Sequence, residues 1–224
     1  KLFHLATCLP SARVFTCRML NLLREATFPV QLDSEFFLDL CWWRSFLPIF
    51  PGFSLLKDPD WSAGLLSTDS SLQAAGAFLA GNFNYYISVP FPCHILDKKL
   101  SIHCLEILSL LVAVKQFGHL LPRQQLLIDC DNAITVQAIN THKSRDRFVQ
   151  TALRELWFLE SQFHLTIRCQ WISSKANLYS DLASRMTFDP HAAIKFHELT
   201  KSLSPPIRQI MPSSNMFDFN FIDA

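Results

Sequence analysis

Residues 102–120, IHCLEILSLLVAVKQFGHL, constrain the fold more than any other stretch. A helix that is apolar on most of its sides has to be packed centrally, covered all round by other elements. Glu106 sits near its start, inside the run C-L-E-I-L-S-L-L. A carboxylate among such neighbours needs a partner, because burial of an unpaired charge is costly. The rest of the chain can supply the cover. It has 224 residues, 50% of them hydrophobic and 17% charged, which excludes a disordered chain. Five glycines and 12 prolines exclude collagen-like and low-complexity classes. The apolar run at 107–114 falls far short of the roughly 20 residues of a spanning helix.

Three regions follow from periodicity and breakers. Residues 1–60 carry two helical patterns, Ala12 to Ala26 and Asp33 or Ser34 to about Phe46. Asp33 or Ser34 is an N-cap candidate, and PIFPGF ends the region. Residues 61–188 read as strands at 64–71, 74–81 and 84–91, the helix at 102–120, and a buried strand at 125–132. Helices at 133–140 and 146–163, a strand at 165–172 and a helix at 176–186 complete that region. Three successive strands favour an antiparallel meander, and the later alternation implies parallel pairing. The prediction is an α/β domain with a mixed five-stranded sheet flanked by helices. Residues 189–224, Pro- and Ser-rich and then Phe-rich, read as a partly ordered tail.

Three acids fall where strands end or the central helix begins, and a fourth lies within the last helix. Asp69 closes the first strand, Glu106 opens the central helix, Asp131 closes the fourth strand, and Asp181 lies in the last helix after Asn177. A crossover helix between the first and fourth strands lets them be neighbours, so Asp69 and Asp131 would lie side by side. Glu106 would point at the same spot. Carboxylates crowded this way repel unless cations hold them, and hard divalent ions such as Mg²⁺ suit oxygen ligands. Two such ions activate a water and stabilise the leaving oxygen of a phosphodiester. Each acid alone has an ordinary reading: Asp69 as a turn former, Glu106 as an N-terminal helix charge, Asp131 as an N-cap, Asp181 as a solvated charge. Asp129 rivals Asp131, since residues two apart share one face of a strand. Asp131 is preferred because it lies at the strand mouth.

Net charge is +1, so nucleic-acid binding requires a local patch. His142, Lys143, Arg145 and Arg147 are candidates for a phosphate track, as are Lys98 and Lys99, although all also suit solvated loops. Trp42 and Trp43 read as core or interface residues, and His103 as structural. The seven cysteines, 8, 17, 41, 93, 104, 130 and 169, include no C-x-x-C pair, which argues against structural zinc and for a reducing, intracellular setting. Cys104 and Cys130 read as small core residues. The chain does not begin with Met and reads as a fragment of a longer polypeptide.

The motifs S-T-D-S-S with A-A-G-A-F, H-C-L-E-I-L-S-L-L-V-A-V, L-L-I-D-C-D-N-A-I-T-V-Q-A-I-N and N-L-Y-S-D-L-A-S-R together resemble a known family. It is the type 1 ribonuclease H domain of retroelement polymerases, with the flavour of the DIRS-type, tyrosine-recombinase retrotransposons. L-D-L-C-W-W-R-S-F-L resembles the helical connection that follows the polymerase in such elements. The resemblance covers about residues 10–188. It implies a ribonuclease H-like fold and hydrolysis of the RNA strand of an RNA–DNA hybrid. It implies two Mg²⁺ ions, with Mn²⁺ as substitute, held by Asp69, Glu106, Asp131 and Asp181. It places Ser70, Asn132, Asn177, Lys143, Arg145 and Lys175 at the substrate, and an upstream reverse transcriptase domain as partner, with no membrane. One departure stands out: many relatives carry a His in the loop before the last acid, and here that loop is W-I-S-S-K-A-N.

Overall fold

The structure, a computed structural model, describes residues 10–25, 29–48, 62–82, 84–121, 125–211, 213 and 215–219. The PIFPGF breaker (beyond Pro48) and the end of the Phe-rich tail (220–224) lie outside the described residues. A 3-10 turn at Pro10–Arg13 runs into α1 (Val14–Glu25), and α2 is Ser34–Phe46. The sheet begins with β1 (Ser62–Ser70), β2 (Ala74–Leu79) and β3 (Tyr85–Pro90). Then come α3 (Cys93–Leu96), α4 (Ile102–Phe117), β4 (Gln125–Cys130), α5 (Ala133–Thr141), α6 (Arg147–Phe163) and β5 (Thr166–Trp171). The chain closes with α7 (Leu178–Arg185), α8 (Pro190–Thr200) and β6 (Arg208–Gln209).

The sheet order is β5-β4-β1-β2-β3-β6. β1, β2 and β3 form the expected antiparallel meander, whereas β1–β4 and β4–β5 are parallel. Both faces are covered. Ala75, Ala77, Leu79, Ile87 and Val89 join the core beneath α4, and Phe78 and Tyr86 pack on the other side with Leu182, Ala183 and Phe196 of α7 and α8. That two-sided cover is why β2 is buried at every position. Leu105, Ile107, Leu108, Leu110, Leu111, Val112, Ala113 and Val114 are all buried along α4, as its composition requires. Among the described residues no helix is long and apolar enough to cross a membrane.

The sheet has six strands, not five. β3 would otherwise be an edge with unpaired backbone groups. Arg208 N–H donates to the Asn84 carbonyl (2.8 Å) and Ile210 N–H to the Tyr86 carbonyl (3.0 Å), covering that edge. The segment after residue 188, read as a partly ordered tail, carries α8 and β6 among its described residues. Asp189 accepts the His191 N–H and a proline follows it at the helix start, a standard opening for α8. Met216 and Phe219 are buried in the main core.

The two N-terminal helices share that same core. Trp42 stacks on Phe15 (4.0 Å between centroids) and Phe46 (4.5 Å), and meets Trp157 of α6 at 4.2 Å. Trp42 and Trp43 are both buried, as core residues. Asp33 caps α2 by accepting the Phe36 N–H at 2.7 Å. Beneath this aromatic layer Asp39 and Arg154 form an ion pair of 3.0 Å, with side chains only 1% and 4% exposed. A buried pair contributes little net stability, but loss of one partner strands the other charge in a dry site. Asp39→Ala should therefore destabilise the protein by about 3–5 kcal/mol in urea unfolding. Arg147→Ala, which removes an exposed pair with Glu35, should leave the midpoint unchanged. Equal effects of the two substitutions would contradict this assignment.

Candidate metal centre

The centre is assembled where β1 and β4 end and α4 begins. Strand alternation puts Ser67 and Asp69 on the α7 face of β1, since they pair across the ladder with Phe78 and Gly76. Glu106 comes from the first turns of α4, on the opposite face. Asp131 follows the last residue of β4, and Asn132 then caps α5 by accepting the Ile134 and Thr135 N–H groups, each at 3.1 Å. One carboxylate oxygen from each of Asp69, Glu106 and Asp131 lies within 4.8 Å of the other two.

The surroundings make this grouping costly without a cation. Burial, with the added charges of Asp131 and Asp181, pushes the Asp69 carboxyl from 3.8 up to about 6, against an opposing hydrogen bond from Ser184. Burial pushes Glu106 from 4.5 up to about 9, and the charges of Asp69 and Asp131 add to it. The Ser70 N–H is the one opposing hydrogen bond on Glu106. Glu106 is 4% exposed, and its Oε2 is buried with no hydrogen-bond partner. A hard divalent ion fits this donor set: three carboxylates, all oxygen, one with an unsatisfied buried oxygen.

Other side chains hold these acids in place. Ser184 Oγ donates to Asp69 Oδ2 at 2.5 Å, and Ser67 and Ser180 hydroxyls meet at 2.6 Å. Ser71 Oγ donates to the Ser184 carbonyl at 2.8 Å. α7 can approach this closely because residue 76 has no side chain. A Cβ on Gly76 would lie 2.3 Å from Ser184 N, 2.5 Å from Ser180 O and 2.8 Å from Ser184 Cα. Trp171, exposed at the end of β5, donates its indole N–H to the Asp131 carbonyl at 2.9 Å.

The expected site residues divide accordingly. Asp69, Glu106 and Asp131 come together. Asp181 lies within electrostatic range of Asp69 and Glu106 but does not close into the group; it is paired with Arg185 one helical turn on. Asp129 points to a different partner, accepting from Gln170 Nε2 at 2.5 Å. Asn177 is buried and donates to the Thr68 carbonyl at 2.9 Å, so it shapes the site rather than facing open solvent. Asn132 is occupied as a cap in the same way. Ser70 Oγ donates to the Ser71 carbonyl, and the residue's contribution is its N–H on Glu106. Lys175 is exposed in the loop between β5 and α7. Lys143 and Arg145 are exposed but lie beyond the far end of α5 from Asp131. A nine-residue helix separates them from it, a rise of about 14 Å. Arg147 is turned to Glu35.

Ser184 and Arg185 belong to the quoted motif N-L-Y-S-D-L-A-S-R, whose D-x-x-S-R ending is part of the resemblance, Gly76 to A-A-G-A-F and Trp171 to W-I-S-S-K-A-N, but none of the four was assigned a role. The first two had a signal, since i+3 and i+4 from Asp181 are its helical neighbours. An isolated glycine within a strand also marks close backbone approach. A second group, His103, Cys104 and Asp146, has a structural explanation. Asp146 Oδ1 caps α6 through the Val149 N–H (3.0 Å), and its Oδ2 lies 3.4 Å from His103 Nε2, tying the start of α4 to the start of α6.

Comparison of the chain with protein-family models and with curated proteins returns no match.

Gly76→Ala tests the close seating of α7. The obstructing atoms are backbone, so the helix must move. The expected result is destabilisation of about 1–3 kcal/mol together with weakened divalent-ion binding. An alanine variant with unchanged melting and unchanged ion affinity would contradict the seating.

Proposed function

We propose that this chain is a divalent-metal-dependent endonuclease of the ribonuclease H type, hydrolysing the RNA strand of RNA–DNA hybrids within a retroelement reverse transcriptase. One observation carries the reading: Asp69, Glu106 and Asp131 each bring a carboxylate oxygen within 4.8 Å of the others, and Glu106 has a buried oxygen that lacks a partner. The mixed α/β sheet supports it, because the acids come from the strand ends and crossover helix that the resemblance assigns to them.

Asp69, Glu106 and Asp131 would hold Mg²⁺, or Mn²⁺ in its place, with Asp181 as the fourth ligand. Such ions supply Lewis acidity, which activates water and stabilises the leaving oxygen of a phosphodiester. The chain's own groups set the geometry. Ser184 fixes the Asp69 rotamer, the Ser70 N–H orients Glu106, and the Trp171 N–H anchors the backbone of Asp131. Asn177 ties the loop before α7 to β1 beside Asp69. Lys175, exposed in that loop where relatives carry a His, is a phosphate contact. Lys143 and Arg145 would meet the hybrid backbone at a distance from the cut. Recognition of an A-form-like duplex rests on shape and 2′-hydroxyls, so little base preference is expected.

The test is cleavage of an end-labelled RNA–DNA hybrid in Mg²⁺, beside single-stranded RNA, duplex DNA and duplex RNA. The expected result is cutting of the hybrid's RNA strand alone. Asp69→Asn should reduce the rate by about 100-fold or more, beyond the ~10–100-fold cost of losing an outer partner of a metal ligand. A folded protein that cuts no hybrid in Mg²⁺ or Mn²⁺ would instead be a non-catalytic module of the same architecture.

A further inference from the structure

We infer that Arg185 is a latch on the fourth carboxylate: it holds Asp181 out of the cluster, so that the free protein takes one divalent ion readily and a second only when Arg185 is drawn away by a phosphate of the bound nucleic acid. The inference deepens the metal-site reading above and rests on it.

Four observations support it. Three carboxylates close into one group and Asp181 does not, although it is near enough to raise the proton affinity of both Asp69 and Glu106. Asp181 Oδ1 is paired with Arg185 Nη2, one turn along α7. The Arg185 charge also reaches Asp69, where it favours the ionised form. Finally, the Arg185 side chain is 59% exposed while that of Asp181 is 20% exposed, so the cation stands on the solvent side of the acid.

The consequences follow from charge balance. A guanidinium on Asp181 supplies positive charge at the place a second ion would occupy, and the two compete for one carboxylate. An exposed pair between neighbours on a helix is weak, so little opposes its exchange. A phosphate diester offers the planar guanidinium a partner with two free oxygens. Binding of a polyanion would then free Asp181 and admit the second ion together with the substrate.

The experiment is a Mn²⁺ titration of the nucleic-acid-free protein, followed by calorimetry and by the paramagnetic resonance of unbound Mn²⁺. Wild type should bind one ion tightly and a second far more weakly. R185Q should tighten the weaker ion by about 2-fold, the size of an ion pair between helix neighbours, and change the tighter one less. R185K, which keeps a cation at the same spacing, should fall between them. D181N added to R185Q should abolish the gain. Identical isotherms for wild type and R185Q, or a gain that survives D181N, would overturn the inference. No turnover enters the titration. A protein with the expected isotherms that cuts no hybrid would refute the nuclease reading and leave the latch standing.

Discussion

Burial and mutual repulsion act in the same direction on Asp69 and Glu106, with Asp131 beside them. Both disfavour charge, and three carboxylates within 4.8 Å are still held there by elements from both faces of the sheet. α4 brings Glu106 from one side, and α7 brings the Ser184 hydroxyl to Asp69 from the other. β1 and β4 run parallel as neighbours, so their ends set Asp69 beside Asp131. Each of these placements depends on packing around the acids: the largely apolar α4, and the missing side chain at Gly76 opposite Asp69 that lets α7 approach.

The other buried charges mark what is unusual about this group. Asp39 has Arg154 at 3.0 Å. Glu160, pushed up to about 8 by burial, accepts the Ile167 N–H at 2.5 Å. Those sites are satisfied by the chain itself. Glu106 has the Ser70 N–H as a partner and a buried Oε2 without one, beside two further acids. A divalent cation is the partner that such a group suits.

Much of this was legible in the sequence because it depends on local pattern. The apolar run around Glu106 announced a central helix with a misfit charge. The order of strands and helices placed β1 beside β4. Asp33 was readable as a cap, whereas the cap read onto Asp131 falls one residue later, on Asn132. The rest depends on long-range packing that no window contains. Whether Asp129 or Asp131 faces the cluster is decided by Gln170 on the neighbouring strand, which takes Asp129. Asp181 looked equivalent to the other acids, and its pairing with Arg185 is a choice between two neighbours that spacing alone leaves open. The sixth strand escaped notice because SPPIRQIMPSSN has no strand pattern; its pairing is dictated by the edge it covers.

The central claim is that the three carboxylates form a divalent-ion site, and thermal unfolding with and without Mg²⁺ tests it most directly. The folded-state values of Asp69 and Glu106, about 6 and about 9, exceed the ordinary 3.8 and 4.5. Without an ion their contribution to stability is therefore most favourable below about pH 4 and is lost as pH rises through about 9. Ion binding requires the ionised groups, so Mg²⁺ should stabilise the protein more at pH 8 than at pH 5. At about 100 times its Kd the gain is about 2.7 kcal/mol, or about 5–10 °C in Tm for a domain of this size. Glu106→Gln should melt higher than wild type at pH 8 in chelator and lose most of the Mg²⁺ response. A Tm indifferent to Mg²⁺ and Mn²⁺ at pH 8 in a folded wild-type protein would contradict the account.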